Sequence, residues 1–260
     1  MSTAQANPTS TYAKFEDRHW WYVGRRHIMC RLVHQLLEPS EGPLILDVGC
    51  GPGANVAALA AQYRCVGIDD APAAIDQARR RFPAVQFVCG TAPESVPEVA
   101  AAADLIVLMD VLEHIGEDKT FLGSLVSQAK PGAHLLITVP ADPKMWSPHD
   151  EAVGHVRRYG VGDLSALWED LPVSTQLVSF FNSRLYVPVR LARIAARLRG
   201  KGHGGTGAEE TDLRLPPKVV NEALTRLFAG EADALLDGLA CGRAPYRRGV
   251  SLLGILRRTP

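Results

Sequence analysis

Along this chain the spacing of apolar positions changes from helical to solid and back at regular intervals. From Arg25 to Leu37, "RRHIMCRLVHQLL", Ile28, Leu32 and Leu36 recur beside Met29, Val33 and Leu37, which predicts an amphipathic helix that "EPSEGP" then breaks. Short, solidly apolar runs follow: "LILDVG", "CVGID", "VQFVCG", "ADLIVLMD" and "AHLLITVP". Between them lie helical segments such as "ANVAALAAQY", "APAAIDQARRRF" and "KTFLGSLVSQA". A run that is apolar at every position suits a strand buried on both faces, and strands alternating with helices predict a parallel sheet covered on both sides. Such sheets bind ligands beyond the carboxyl ends of their strands, so the turns after the strands are expected to carry the chemistry.

The second half is less regular. After Pro140 comes "WSPHDEAVGHVRRY" (146–159), with no buried periodicity but two histidines, two acids, two arginines and two aromatics. A helix ("VGDLSALWEDL"), a strand ("STQLVSFFN") and a basic amphipathic helix ("LYVPVRLARIAARLRG") are predicted next. A glycine-rich linker, "GKGHGGTGAEETD", leads to "PPKVVNEALTRLFAGEADALLDGL", which reads as a helix pair or one long helix, and "GVSLLGILRR" is a closing strand. Residues 1–14 are small and polar, the pattern of a loose arm.

Composition narrows the class. The 260 residues suffice for one large α/β domain with a proper core, and Lys+Arg and Asp+Glu balance at 28 each, so no global field points to nucleic acid. The five cysteines are scattered without a C-x-x-C pair, which argues against a disulfide framework or zinc ribbon and for a reducing compartment. No signal-peptide core and no run of about 18 apolar residues is present, so a cytoplasmic protein is expected.

The strongest chemical signal is "LDVGCGPGAN". It places Asp47 at a strand end with Gly49, Gly51 and Gly53 in the turn into a helix, where glycine permits positive φ and close approach of a ligand to the backbone. A nicotinamide site would carry G-x-G-x-x-G with a pyrophosphate on the helix N-terminus. Here the spacing is G-x-G-x-G with an acid two residues before it, which suits a ligand bearing an amine and a carboxylate and no phosphate. Asp69 ends the second strand, where an acid can accept both hydroxyls of a ribose.

"ILDVGCGPG", "GIDDAPAAID", "FVCGTAPESVP", "DLIVLMDVLEHI" and "AKPGAHLLITVPA" together resemble, in order and at normal spacing, the successive motifs of the class I S-adenosylmethionine-dependent methyltransferases over residues 42–142. "HWWYVGRR" and "HDEAVGHVRRY" are similar to flanking segments of a UbiE/UbiG-like bacterial subgroup acting on small molecules or lipid and glycan precursors. The resemblance implies that Asp47, Gly49, Cys50, Gly51 and Gly53 hold the methionine end. It implies that Asp69 takes the ribose hydroxyls with Asp70 beside the adenosine, and that Thr91 with Ala92 reaches the adenine edge. Asp110, Val111 and His114 would line the sulfonium side. "GTA" stands where the family usually has "GDA", and Asp70 where an apolar residue is common.

The aromatic "HWWYVGRR" reads as a lid: Tyr22 would close the pocket and Arg25 or Arg26 would meet the methionyl carboxylate, with Trp20 and Trp21 toward the substrate or packed beneath. The 146–159 segment follows the fifth strand and should face the transferable methyl. His149, His155 and His114 are the candidate bases, because an imidazole titrates near neutral pH. Asp150, Arg158 and Tyr159 would bind substrate, or else tie down the loop. An oxygen/nitrogen metal site from Asp110, Glu113, His114 and His149 lacks H-x-x-x-H or comparable spacing, so no metal is expected. The basic helix at 185–199 fits either a peripheral membrane or lipid-linked contact or a cap packed over the site.

The expectation is therefore one domain with a Rossmann-like, seven-stranded, mostly parallel sheet: an N-terminal arm and lid helix (1–40), a cofactor-binding core (42–142), and a substrate-side loop, helical insertion and closing strand (143–260). It would transfer methyl from S-adenosylmethionine to an oxygen, or to carbon or nitrogen, of a small molecule. A cofactor-binding protein with a non-methylating activity is the rival. Nucleic acid is disfavoured by the balanced charge and by the absence of an N/D-P-P-Y/F motif.

Overall fold

The computed structural model describes residues 15–198 and 215–260; the arm at 1–14 and the glycine-rich linker lie outside them. Seven strands form one sheet in the order β3-β2-β1-β4-β5-β7-β6. They are β1 (Leu44–Val48), β2 (Arg64–Asp69), β3 (Gln86–Cys89), β4 (Leu105–Met109), β5 (His134–Pro140), β6 (Val173–Phe181) and β7 (Ser251–Arg258). The pairs β1–β2, β2–β3, β1–β4 and β4–β5 are parallel, whereas β7 runs antiparallel to both β5 and β6. The mostly parallel sheet expected from the sequence is thus present, with its last strand reversed.

Strand alternation divides the core. Leu46, Ile106, Leu108, Ile137 and Leu252 face a cluster built with α4 (Pro97–Ala102), α5 (Asp118–Gln128) and α7 (Val161–Ala166). Ile45, Leu105, Val107, Leu136 and Ile255 face the other side, covered by α1 (Trp20–Leu36), α9 (Lys218–Ala229) and α10 (Ala232–Cys241). At the β3 end, α2 (Ala54–Ala60) and α3 (Pro72–Arg81) close over Phe87 through Val56, Ile75 and Ala78. All five residues of β4 are buried, as its apolar run predicts.

The N-terminal helix starts earlier than its apolar periodicity suggests. His19 caps it by accepting the Trp21 N–H at 3.3 Å, so Trp20, Trp21 and Tyr22 occupy its first turn. The aromatic ring contacts, which a pattern of aliphatic spacing does not register, anchor that turn. Gly24 lies against the fully buried Phe228 ring of α9: a Cβ there would come within 2.7 Å of it. Trp20 meets the same ring edge-on at 6.0 Å, and Phe181 of β6 stacks on it at 6.0 Å. Asn221 of α9 accepts the Trp20 N–H at 2.9 Å and donates to the Arg18 carbonyl at 2.7 Å.

The helical insertion between β6 and β7 holds α8 (Tyr186–Leu198), α9 and α10. The α9 and α10 helices are a pair, broken at Gly230 and Glu231; the buried Glu231 carboxylate accepts the Arg184 N–H at 2.8 Å. The outer face of α8 exposes Val187, Leu191 and Ile194. No described helix is long and apolar enough to cross a membrane.

Phe228 joins the insertion, the N-terminal helix and the sheet. Phe228→Ala is expected to lower unfolding free energy by about 3–5 kcal/mol, the range for an emptied aromatic core site, read by urea denaturation.

Candidate active site

The strand order reverses between β1 and β4, and the turns following these two strands flank the crevice where a doubly wound sheet takes its ligand. After β1 the chain bends through Gly49, Gly51 and Gly53, at φ of 70°, 54° and 87°. The Gly49 and Cys50 N–H groups donate to the Ile68 carbonyl at 2.8 and 3.0 Å, stapling the turn to β2. A Cβ on Gly49 would strike Val111 at 2.6 Å and one on Gly53 would strike Phe87 at 2.7 Å. At Gly51 a Cβ would meet nothing within 4 Å, so the backbone there faces open space.

Two carboxylates bracket this turn. Asp47 is buried, and its Oδ2 has no hydrogen-bond partner. Burial pushes its carboxyl up to about 7 against the opposing pull of Arg25, and the charges of Asp69 and Glu16 push the same way as burial. Asp69 is half-buried and accepts the Gly51 N–H on one oxygen and the Ala71 N–H on the other, each at 2.9 Å. An orphaned acid beneath a glycine turn fits an ammonium, and the second acid, with lone pairs remaining, fits vicinal hydroxyls. Asp70 and Thr91 are exposed near this end and Ala92 is buried; Thr91 donates its N–H to Ser95 Oγ at 3.2 Å.

On the β4 side, Asp110 adopts φ of 57° and accepts a hydrogen bond from Thr138 Oγ1 at 3.1 Å. Arg25 forms an ion pair with Asp110, its guanidinium 4.2 Å from the Trp21 ring centroid and 5.9 Å from that of Tyr22. The sequence leads one to expect Arg25 or Arg26 on the methionyl carboxylate; in the structure Arg25 is paired with Asp110, an acid that β4's turn brings within its reach. Its buried Nε has no partner. Arg26 points away, donating to the Glu16 carbonyl at 3.0 Å.

The 146–159 segment forms a closed loop. The 3-10 turn Pro143–Met145 and the short α6 (Pro148–Ala152) lead back to a parallel bridge between Ala141 and Tyr159. Asp150, fully buried, accepts from Ser147 N (2.8 Å), Ser147 Oγ (3.0 Å), His155 Nδ1 (2.9 Å) and Arg158 Nε (2.7 Å). Although burial alone would raise it, the His155 hydrogen bond and the Arg158 charge hold its carboxyl well below the usual range. Arg158 also donates to the Ala141 carbonyl at 2.9 Å, and Tyr159 donates to Asp118 at 2.7 Å. Asp150, Arg158 and Tyr159 are thus engaged in holding the loop, and the reading of them as acceptor ligands gives way to the tie-down reading.

That closure carries His155 to the β4 turn. Its ring lies 4.8 Å from that of His114, nearly perpendicular, and its Nε2 is 3.8 Å from Glu113 Oε1. Glu113 is fully buried, neither of its oxygens has a hydrogen-bond partner, and burial drives its carboxyl well above the normal range. Burial lowers His114, with His155 adding to the effect. His149 lies half-buried in α6. The sequence places Glu113 and His114 together as candidate oxygen/nitrogen ligands, with Asp110 and His149; the structure gathers His155 with them instead.

Above the loop, α8 sends Tyr186 to donate to Asp142 at 2.9 Å and Arg193 to donate to the Met145 carbonyl.

Residues 21–185 match a family model described as a methyltransferase domain. The trans-aconitate 2-methyltransferase of Methylobacterium radiotolerans is 33% identical over 141 residues, 53% of this chain and 50% of that protein. That of Paracidovorax citrulli is 29% identical over 170 residues, 62% of this chain and 61% of that protein. The chain thus spans about half the length of the first of these relatives and three fifths of the second. The plantazolicin methyltransferase BamL, solved with a triazolic desmethylPZN analog and SAH, superposes with a TM-score of 0.58 at 16% identity, over 96% of this chain and 90% of that one, a likeness of fold. With the family model matched over more than half its length and the strand-end motifs in their places, the chain belongs to the class I S-adenosylmethionine-dependent methyltransferases.

Proposed function

We propose that the chain transfers the methyl group of S-adenosylmethionine to an oxygen of a small-molecule acceptor. The observation that carries the cofactor half is the pair of carboxylates around the glycine turn: an orphaned, buried Asp47 for the amine and a backbone-anchored Asp69 for the ribose. Arg25, with an unused Nε, closes that end from the lid helix. When bound, the cofactor supplies a methyl on a positive sulfur and leaves as S-adenosylhomocysteine. The protein's part is to orient an acceptor in line with that methyl and to help its oxygen shed a proton.

The acceptor side is read from the β4 and β5 turns. Glu113, His114 and His155 gather there, and Asp150 fixes the orientation of the His155 ring. The arginines nearby are already neutralised: Arg25 by Asp110, Arg157 by Asp118 and Arg158 by Asp150. A neutral, hydroxylated acceptor therefore suits the site better than a polycarboxylate such as aconitate, the compound named in five relatives. A further relative, of Methylobacterium sp., is named as a ubiquinone biosynthesis O-methyltransferase and is 31% identical over 99 residues, which favours oxygen as the target.

Calorimetric titration tests the cofactor half. S-adenosylmethionine and S-adenosylhomocysteine are expected to bind and NADH not to bind, with Asp69→Ala weakening both by at least about tenfold, ~1.4 kcal/mol. Binding of NADH alone would overturn the reading. Mass detection of a single added methyl across a panel of hydroxylated acceptors tests the second half. His155→Ala should leave cofactor affinity intact and slow turnover by about a hundredfold or more.

Asp47 gives a pH signature. Its carboxyl, raised to about 7, must lose its proton before it can pair with an ammonium, so affinity should rise with pH through that value. Between about pH 6 and pH 8 the competent fraction grows roughly tenfold, and Kd should fall accordingly. In Asp47→Asn the same titration should be weak and nearly flat; an equally steep pH dependence in that variant would remove Asp47 from the role.

A further inference from the structure

The Glu113, His114 and His155 cluster holds more than a base. His155 Nδ1 lies 2.9 Å from an Asp150 oxygen, and His114 Nδ1 lies 3.2 Å from the Gly154 carbonyl. The same Asp150 oxygen accepts from Arg158 Nε at 2.7 Å, and a carbonyl only accepts, so each Nδ1 must carry the proton. In the neutral rings both Nε2 atoms then present lone pairs. Between them sits Glu113, fully buried, with two oxygens that no donor satisfies. A buried carboxylate without donors is costly unless a proton or a cation answers it.

We infer that Glu113, His114 and His155 form a site for a divalent transition-metal ion. Their donor atoms already lie within 4.8 Å of one another, against the ~3.3 Å that two ligands at ~2.0 Å subtend around a tetrahedral ion. Closing that difference requires a movement of up to about 1.5 Å, and His114 is exposed and able to make it. Two imidazoles and one carboxylate select zinc, cobalt, nickel, iron or manganese over the oxygen-seeking magnesium and calcium. The outer shell is present too: a ligating histidine characteristically donates its other N–H to a carboxylate or carbonyl, as both do here. Three protein ligands would leave at least one coordination position for water or a substrate oxygen. The sequence expectation of no metal rested on ligand spacing within a single segment. These ligands come from two turns about 40 residues apart in the chain, joined only because Asp150 closes the second loop.

The site's existence stands apart from the methyl-transfer reading; its use rests on it. An ion there would act as a Lewis acid on a hydroxyl of the acceptor, lowering its pKa so that the proton passes to water and the oxygen is left nucleophilic.

The test is metal binding by the whole chain, stripped with chelator and titrated with Co²⁺ alone while its visible ligand-field absorption is followed. One equivalent is expected to bind with the intense bands of a four- or five-coordinate ion. His114→Ala and His155→Ala should each weaken it by about ten- to a hundredfold, and Zn²⁺ should displace it. His114 is exposed, so that variant serves even where Glu113→Gln fails to fold. A spectrum no different from the aqueous ion, or binding unchanged in His114→Ala, would overturn the proposal. Titration of the same protein with S-adenosylhomocysteine separates the two readings: cofactor binding without Co²⁺ binding removes the metal site alone, and Co²⁺ binding without cofactor binding removes the methyl-transfer reading alone.

Discussion

Asp150 lies at zero exposure yet ionised, and four donors converge on it from Ser147, His155 and Arg158, with Arg193 of α8 3.8 Å away. A carboxylate taken out of water survives only when its lone pairs are answered, so the segment around it has little freedom to adopt another shape. Satisfying Asp150 turns the chain back on itself, sets Tyr159 beside Ala141 in parallel pairing, and delivers the His155 ring to the end of β4. The contents of the acceptor side follow from that one electrostatic demand. Beside the glycine turn Asp47 is treated the opposite way: its buried Oδ2 has no hydrogen-bond partner among the described residues, and the proposed ammonium contact rests on that.

Much of the fold is legible in the sequence because parallel strands must be apolar on both faces. Runs such as Leu105–Met109 have no amphipathic alternation to confuse them with surface strands, and all of that strand is buried. The glycine turn is legible for a similar reason: Gly49 is pressed by Val111 and Gly53 by Phe87, both at positive φ, and few other residues fit there. The reach of these arguments is local. Pairing of Arg25 with Asp110 joins positions 85 apart in the chain, and nothing in either neighbourhood announces it. The aromatic first turn of α1 lies ahead of the apolar spacing that predicts the helix, because its anchor is on α9, where Asn221 accepts the Trp20 N–H from 201 residues further along. In the 146–159 loop the residue types were legible and their division of labour was not. Whether an acid and an arginine face a ligand or each other depends on which turn they fold against.

The two helical layers divide the work unevenly. On one side, α4, α5 and α7 complete a conventional core. On the other, α1 contributes both packing and chemistry: Ile28, Met29, Leu32 and Val33 are buried against the sheet, while Arg25 on the same helix reaches the site. Because α9 clamps α1 through Asn221 and Phe228, the lid residues have a fixed height above the crevice. The insertion, which looks like an appendage in the linear order of elements, therefore helps to hold the helix that carries Arg25.

The position of β7 between β5 and β6 has a consequence for how the chain comes to be folded at all. During synthesis from the N-terminus, β1 to β5 can pair as they emerge, but β5 then presents an open edge and β6 has no neighbour to pair with. Both wait for Ser251–Arg258, which follows the other six strands of this sheet in chain order. Through that interval the nascent chain carries an unpaired, largely apolar strand edge and an undocked N-terminal helix, the kind of surface on which misassembly begins. The sheet is completed by insertion rather than by addition, and it cannot close until its final strand in chain order is available.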